Sequence, residues 1–361
     1  MRFGLSEDQR LLQDSVTRAL EALAPLERAR RFAAEGEAVA ADVWAGLTEM
    51  GLPGVLIPEE HGGLGLGLLE AALAAEALGR AVAPAPFLGS AVLAPLALMR
   101  GGDAEQQARW LPKLAAGEVV AGAAISEPIA GARDGAGVEA RGGRLSGLSM
   151  FVIDGPGADL YVVADKAGGL HLVEASAPGV TCETLETIDL TRRVGKLTLT
   201  DAPAEPLAAG TGALDALRDA GWVMLAADAL GAADAMLAKA VDYAKERKQF
   251  GRVIGSFQAV KHLCAEMAAE IEPSRALVWY AAYAFDAAPQ EAGLTAAHAK
   301  AHLSEIGRFV ARTATEVHGG IGITDLLGLH YWFKRLGLDR QLLGGPEKVR
   351  DWAARLQGLA A

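Results

Sequence analysis

The feature that most constrains the fold of this chain is a change of residue pattern that occurs twice. Apolar residues recur at helical spacing up to about residue 118, and this spacing returns after Gly212. Between them lie short apolar runs bounded by glycine, proline or aspartate, as in hairpin-linked strands. A chain of 361 residues is too long for one simple core. We therefore expect a helical domain over 1–118, a middle antiparallel β domain over 119–208, and a C-terminal helical bundle over 209–361.

The first domain is expected to hold several helices joined by glycine and proline loops. Ser6 and Gln9 form a capping-box pattern ahead of a run of apolar residues at helical spacing, which predicts the first helix. Three more helices are predicted: one around Val43–Leu47 that stops near Gly51, one from the loop at 57–67 to Gly79, and one through Gln106–Leu114.

The middle and last domains show opposite patterns. In the middle domain, runs of four to eight residues predict strands within 144–155, 158–165, 169–176 and 194–201. In the last domain, alanine-rich patterns predict helices at 215–247, 255–285 and 294–317, and one starting near Pro346. The predicted fold class is mostly α with a middle antiparallel β domain.

Charge and cysteine content exclude several functions. The net charge of −11 argues against nucleic acid or an anionic membrane as the main partner. Cys182 and Cys264 have no CxxC spacing and no histidine nearby at ligand spacing, so we expect two reduced thiols and no metal site. The N-terminus does not have the pattern of a signal peptide, and no stretch is long and apolar enough to span a bilayer. We expect a cytoplasmic protein.

One segment in the last third carries residues suited to a phosphate ligand. In YAKERKQFGRVIGSFQAVKH, residues 243–262, Arg247 offers a charged fork, Phe250 an aromatic ring beside it, and Gly251 ends the helix. Taken alone, this segment is better explained as the charged, solvated end of a helix.

A second segment, EVHGGIGIT at residues 316–324, has paired glycines after a helix. Such glycines let backbone amides approach a ligand closely, although they more often cap a helix before a turn.

Together, about seventy residues apart and in this order, the two segments resemble the acyl-CoA dehydrogenase family. In that family an ER-x-QFG segment and a GG-x-G segment hold the adenosine and pyrophosphate of FAD. Four further blocks resemble the same family in the same order: WAGLTEMGLPGVLIPEEHGGLG at 44–65, WLPKLAAGE at 110–118, AISEP at 124–128 and GLSMFVIDG at 147–155.

The resemblance implies a fold with N-terminal helices, a β-barrel-like middle domain and a C-terminal four-helix bundle. It also implies an FAD whose adenosine half is held by a neighbouring subunit. The implied contacts to the diphosphate and adenine come from Arg247, Gln249, Phe250, Gln258, Glu316, His318, Gly319 and Gly320.

The resemblance implies a second group of contacts, to the flavin ring, from the β domain. Ser126 stands where a hydroxyl residue bonds the ring edge, and Phe151 stands where a tryptophan commonly covers the ring. Ile153 replaces a threonine, so only its backbone amide could bond the flavin ring. Val152 lies between Phe151 and Ile153.

On the acyl side the chain departs from the family pattern. The family's reaction needs a glutamate to remove the α-proton of the acyl-CoA. Counting back from Arg350 places Leu343 at the commonest position of that glutamate. Counting back from Arg247 places Gly221 at the alternative position, followed by Trp222. Ala132 replaces a serine that helps to bind substrate. The sequence therefore assigns no catalytic residue.

These losses, beside a retained adenosine clasp, favour one subunit of a bacterial α2β2 heterotetramer whose homologous partner carries the base. The partners implied are an acyl-CoA of unspecified chain length, an electron-transfer flavoprotein as acceptor, and that second subunit. Three alternatives stay open. The chain could act alone as a homotetramer with its base moved to Glu316, Asp228, Glu347 or Asp339, it could run another flavin reaction, or it could be a non-catalytic scaffold.

Overall fold

The computed structural model describes residues 4–133, 135–208 and 211–360. The N-terminal part is helical, as predicted, and the capping box of Ser6 and Gln9 is present. Its helices are α1 Glu7–Leu23, α2 Leu26–Glu35, α3 Ala41–Glu49, α4 Leu68–Ala81, α5 Ala94–Gly101, which continues a π-helical turn at Leu88–Leu93, and α6 Ala104–Ala115. Helices α2 and α5 were not predicted from the sequence.

A curled eight-stranded sheet forms the middle of the molecule. Its strands are β1 Ala121–Ala124, β2 Gly137–Arg141, β3 Arg144–Ile153, β4 Leu160–Ala164, β5 Leu170–Glu174, β6 Val180–Thr184, β7 Val194–Pro203 and β8 Glu205–Pro206, with the short helix α7 Ser126–Ala130 after β1. The strand order is β6-β7-β3-β1-β4-β5-β8, and β2 pairs with β3.

The middle sheet is antiparallel as predicted, except at one pair of strands. β1 and β4 run parallel, with Ala121 opposite Leu160. The chain leaves β1 through α7, forms the β2–β3 hairpin on one side of β1, and returns as β4 on the other side. A connection of this length can bring a strand back in the same direction, which a tight hairpin cannot do.

The C-terminal part is a helical bundle. Its helices are α8 Thr211–Glu246, α9 Gln258–Ala287, α10 Pro289–His318, α11 Leu329–Gln341 and α12 Pro346–Leu356, with a two-stranded hairpin of β9 Lys248–Gln249 and β10 Arg252–Val253 after α8. Helices α8 to α11 pack together as four neighbours, and α12 packs on α10. Helix α11 was not predicted. The observed architecture confirms the predicted fold class of helical domain, middle sheet and helical bundle.

Helix α8 is the centre of the molecule. Within the described residues it is the one helix long and apolar enough to cross a membrane, but 89% of its most apolar window is buried inside the protein. It packs against α4 at two glycines. A Cβ at Gly79 would overlap the carbonyl oxygen of Asp228, and one at Gly231 would overlap that of Glu76. The two helices therefore approach as closely as their backbones allow.

A buried ionic network joins the sheet to the bundle. Asp228 of α8 accepts hydrogen bonds from Arg335 of α11 at 2.8 Å and from Arg192, in the loop before β7, at 2.9 Å. Arg192 also donates to Asp339 of α11 at 2.6 Å, and the ammonium of Lys300 binds the Asp339 carbonyl oxygen. Burial alone would raise the pKa of Asp228, but the charges of Arg335 and Arg192 outweigh it and hold the pKa at about 2.

Candidate functional site

A cleft lies where the β domain meets the end of α11. We call it the inner cleft. The residues that line it come from α7, β3, the loop after α7 and the end of α11: Ser126, Glu127, Ala130, Gly131, Arg133, Met150, Phe151, Leu338, Gln341, Leu342 and Leu343.

Two residues assigned to the flavin ring meet in this cleft. The Ser126 hydroxyl donates a hydrogen bond of 3.2 Å to the carbonyl oxygen of Phe151. Phe151 lies at an irregularity in the pairing of β3 with β7 and adopts a left-handed φ of 57°. Such a backbone is uncommon for a bulky residue and marks a constrained position. The guanidinium of Arg133 lies 5.5 Å from the centre of the Phe151 ring.

The next two residues of β3 do not face the inner cleft with their side chains. Val152 and Ile153 are completely buried in the sheet. Ile153 is paired with Ala123 on one side and Val194 on the other. Of the three consecutive positions, Phe151 is the one whose side chain lines the cleft.

Glu127 is a carboxylate in the inner cleft that the sequence did not single out. One of its oxygens accepts a hydrogen bond of 2.7 Å from the Ser149 hydroxyl, and the other accepts one of 2.6 Å from the Met150 amide. Both oxygens are therefore engaged in fixing α7 to β3, which disfavours a role as proton acceptor.

The two positions where the resemblance places the base lie against each other. Leu343 follows α11 and is 2% exposed, and its carbonyl oxygen accepts a hydrogen bond of 2.8 Å from the Trp222 indole. A Cβ built on Gly221 of α8 would lie 2.5 Å from Cδ1 of Leu343. The point where the two positions meet therefore holds the Leu343 side chain and no carboxylate. Ala132, at the position of the missing serine, is exposed in the loop after α7.

The four carboxylates considered as relocated bases lie elsewhere. Asp228 and Asp339 belong to the buried ionic network between sheet and bundle. Glu347 is exposed on α12 and bonds Arg340 at 2.9 Å. Glu316 is exposed beside a groove between α9 and α10. None of the four lines the inner cleft.

The residues assigned to the adenosine clasp lie at one end of the bundle. Arg247, Gln249 and Gln258 are exposed, and Phe250 is 92% exposed at the tip of the β9–β10 hairpin. Phe250 and Gly251 both have positive φ, 53° and 78°, as a type I′ hairpin turn requires. The Phe250 ring is therefore accessible from outside this chain.

The glycine segment joins this end of the bundle through His318. The His318 ring stacks on Tyr243 of α8 at 4.7 Å, and its Nδ1 lies 2.7 Å from the carbonyl oxygen of Ala314. Burial lowers the pKa of His318. Its side chain is thus part of the packing between α8 and α10. Gly319 and Gly320 are exposed, and a Cβ on either would meet no atom within 4 Å.

The residues assigned to the cofactor fall into two separate groups, one at the inner cleft and one at the end of the bundle. The exposed backbone of Gly319 and Gly320, together with the exposed side chains of Arg247 and Phe250, has the chemistry to meet a phosphate and an adenine. The polar and aromatic surface of Ser126 and Phe151 suits a ring system. Each contact assigned to a single residue stays a prediction.

A second cleft was missed by the sequence reasoning. We call it the outer cleft, and it is lined by Ile129, Trp222, Leu343, Gly344, Lys348, Val349, Asp351, Trp352 and Arg355. The Trp222 and Trp352 rings meet edge to face at 5.2 Å, and Arg218 packs on both. The i,i+4 spacing of Arg218 and Trp222 in a predicted helix was the available signal.

Comparison with known proteins decides the family. Residues 6–118 match the acyl-CoA dehydrogenase N-terminal domain, and residues 213–355 match the acyl-CoA dehydrogenase C-terminal domain. The chain belongs to the acyl-CoA dehydrogenase family. Members of this family are FAD-dependent oxidoreductases that act on acyl-CoA, which confirms the predicted cofactor and the general class of reaction.

The relatives of this acyl-CoA dehydrogenase include bacterial proteins. The acyl-CoA dehydrogenase IpdE2 of Mycobacterium tuberculosis is 33% identical over 344 residues, which is 95% of each chain. A chain of the Tcur3481-Tcur3483 steroid acyl-CoA dehydrogenase, G363A variant, is 33% identical with a TM-score of 0.88 over 98% of each chain. A chain of the ChsE4-ChsE5 complex from Mycobacterium tuberculosis is 29% identical with a TM-score of 0.92 over the full length of both.

Proposed function

We propose that this chain takes part in the FAD-dependent α,β-dehydrogenation of an acyl-CoA thioester as one subunit of a heteromeric complex. The homologous partner subunit supplies the catalytic glutamate. The observation that carries this proposal is the contact of Leu343 with Gly221, since the two positions expected to hold the base meet here without a carboxylate.

The chemistry of the reaction explains why this matters. FAD, when bound, accepts the hydride that leaves the β-carbon of the acyl group. A carboxylate must take the α-proton, and it must reach the substrate within hydrogen-bonding distance. Among the described residues that line the inner cleft, Glu127 is the carboxylate, and both of its oxygens are held by β3. The chain's own residues therefore do not offer a free proton acceptor there.

The residues assigned to the adenosine clasp, at the other end of the bundle, suggest what this chain contributes to the complex. Arg247, Gln249 and Phe250 are exposed rather than folded back on the chain, so they are available to a cofactor seated mainly in a neighbouring subunit. A guanidinium paired with a phosphate across an interface is a charge-assisted contact and contributes more than a neutral hydrogen bond. On this proposal, the chain completes the partner's FAD site.

Two similar structures support the proposal by what their names state. One is a complex of two differently named chains, ChsE4 and ChsE5. The other is a steroid acyl-CoA dehydrogenase whose name joins two components, Tcur3481 and Tcur3483. We propose the same arrangement of two related chains for this protein, with an electron-transfer flavoprotein as electron acceptor and the cytoplasm as location.

The test is an anaerobic bleaching experiment. The chain is purified alone and after co-expression with a homologous acyl-CoA dehydrogenase that carries a glutamate at either base position. We expect the visible flavin absorbance to bleach on addition of acyl-CoA only in the co-expressed sample. Bleaching by the chain alone would point to a base within this chain, and a colourless protein in both samples would point to a scaffold.

A further inference from the structure

The edge of β3 opposite β7 has a gap in its strand pairing. On this edge β2 pairs with β3 as far as Leu148, and β1 pairs with it again at Ile153. Within the described part of the chain, no strand is paired with residues 149–152 on this side. A backbone amide without a partner inside a protein costs free energy, so the groups in this gap need a bond from elsewhere.

Helix α7 supplies that bond through the Glu127 side chain. One Glu127 oxygen accepts from the Met150 amide at 2.6 Å, and the other accepts from the buried Ser149 hydroxyl at 2.7 Å. Hydrogen bonds to an ionised carboxylate are stronger than those between neutral groups. Glu127 therefore takes the place of a neighbouring strand along this part of β3.

The same part of β3 carries a β-bulge on its other edge. Met150 and Phe151 lie opposite the single residue Lys196 of β7. A bulge of this kind turns the side chain that follows it in a new direction. Phe151 has a left-handed φ of 57°, a strained conformation for a bulky residue that persists only where its neighbours enforce it. The two bonds of Glu127 act on the two residues immediately before Phe151.

Helix α7 is itself fixed at both ends. At its start, the Ser126 hydroxyl donates to the Phe151 carbonyl oxygen at 3.2 Å. At its end, the Lys348 ammonium of α12 binds the carbonyl oxygen of Ala130. The carboxylate of Glu127 is thus presented from a helix that is tied to both the sheet and the bundle.

We propose that Glu127 is a positioning residue whose carboxylate holds the bulge of β3 and so fixes the Phe151 ring in the inner cleft, against the flavin. Glu127 acts through Phe151 and takes no proton in the reaction. Its role toward the flavin rests on the proposed function, through the assignment of the flavin ring to this cleft. Its hold on the bulge rests on the contacts of Glu127 alone.

The direct test is visible circular dichroism of the FAD-containing chain, since this signal arises from the asymmetric surroundings of the flavin ring. We expect Glu127→Ala to lose intensity in the flavin bands. Glu127→Gln should keep most of it, because the amide oxygen can accept from the Met150 amide and the amide nitrogen can donate to Ser149. Glu139→Ala removes an exposed carboxylate from β2 and serves as the matched control, with no expected change.

The Phe151→Leu background shows whether Glu127 acts through the ring. Phe151→Leu should itself alter the flavin bands, and adding Glu127→Ala should then change them little further. A folded, FAD-containing Glu127→Ala variant with the wild-type spectrum would overturn the proposal. Equal changes from Glu127→Ala in the two backgrounds would overturn it as well.

A second test examines the bulge without any ligand and also covers variants that lose FAD. Glycine adopts a positive φ without strain, so Phe151→Gly relieves the strain while it loses the packing of the ring. In the Glu127→Ala background the bulge is free to relax and no strain is left to relieve. We therefore expect Phe151→Gly to lower the urea midpoint of unfolding more in Glu127→Ala than in the wild type. Phe151→Leu, which relieves no strain, should lower it equally in both, and equal losses for Phe151→Gly would contradict the proposal.

The positioning role and the heteromer proposal fail in different experiments. A wild-type chain that bleaches its own flavin would contradict the heteromer proposal, whereas the non-additive losses of Glu127→Ala and Phe151→Gly would still support the positioning role. Wild-type flavin bands in Glu127→Ala, together with additive losses in midpoint, would overturn the positioning role and leave the heteromer proposal standing.

Discussion

At the scale of single residues, this chain is distinguished by substitutions at positions where the resemblance expects a carboxylate, and not by additional functional groups. Leu343 and Gly221 stand where the resemblance places a carboxylate, and the structure brings the two together. Both positions are predictions that come from counting back along the sequence, from Arg350 to Leu343 and from Arg247 to Gly221. Their contact could not be predicted, since it depends on how the end of α11 lies against α8.

We expect Leu343→Glu alone to produce no dehydrogenation. The new carboxylate would be buried among apolar groups, so its pKa would rise, which suits proton abstraction but lowers stability where no group bonds it. Ala132, Gly221 and Trp222, the other departures from the family pattern on the acyl side, would remain. The measurement is flavin bleaching by acyl-CoA in a variant shown to fold and to keep FAD. Even slow turnover would show that the chain has a complete pocket and lacks only the base.

We expect Arg247→Ala to weaken FAD retention far more than folding. Arg247 is exposed at the end of α8, so its loss should hardly alter the stability of the chain. A charge-assisted bond to a phosphate contributes roughly 1.5–3 kcal/mol. Flavin content per chain after gel filtration gives the readout, and Lys245→Ala, two residues away and also exposed, is the control. Equal flavin content in Arg247→Ala and wild type would contradict the assignment.

At the scale of elements, most helices and strands follow from local patterns. The three long helices of the bundle were predicted within a few residues, and the four predicted strands correspond to β3, β4, β5 and β7. Helix α11 was missed because Tyr331, Trp332, Phe333 and Gly337 have weak helix propensity, and packing on α8 and α10 stabilises it instead. The parallel pairing of β1 with β4 depends on chain topology, which local spacing does not encode.

Helix α8 also carries a buried carboxyl group, that of Asp219, which makes the stability of the fold depend on pH. Asp219 lies beside Arg218, and burial raises its pKa from 3.8 to about 6 against the opposing charge of Arg218. A folded-state pKa above the unfolded value means that this group favours folding below about pH 4 and loses that contribution as pH rises through about 6.

Asp219→Asn should therefore raise the free energy of unfolding at pH values well above 6, by at most about 3 kcal/mol, and leave it nearly unchanged well below 4. Urea unfolding at both pH values is the measurement. Asp215→Asn removes the exposed partner of Arg218 and should show no such pH dependence. Equal effects of Asp219→Asn at the two pH values would refute the assignment.

At the scale of the whole molecule, the ionic network around Asp228 joins the β domain to the bundle. Its members come from α8, α10, α11 and the loop before β7, far apart in sequence, so no local pattern predicts it. The sequence suggested Asp228 and Asp339 as possible bases. The structure instead pairs both with arginines, away from the inner cleft.

Removing one charged partner from this network should lower the free energy of unfolding substantially. Asp228→Asn leaves Arg335 and Arg192 buried with reduced compensation, and we expect a loss of about 3–5 kcal/mol in the free energy of unfolding. Glu347→Gln breaks an exposed pair with Arg340 and should lower the free energy by about 1 kcal/mol or less. Similar losses in the two variants by urea unfolding would show that the network does not hold the domains together.

The claim on which the account depends is that this chain alone does not complete the dehydrogenation. The most direct measurement is anaerobic stopped-flow absorbance of the wild-type FAD-containing chain, free of any homologous subunit, mixed with acyl-CoA. We expect no flavin reduction on the time scale of enzyme turnover. Reduction of the chain's own flavin at a rate of about 1–1000 per second, the usual range for enzymes, would contradict the account.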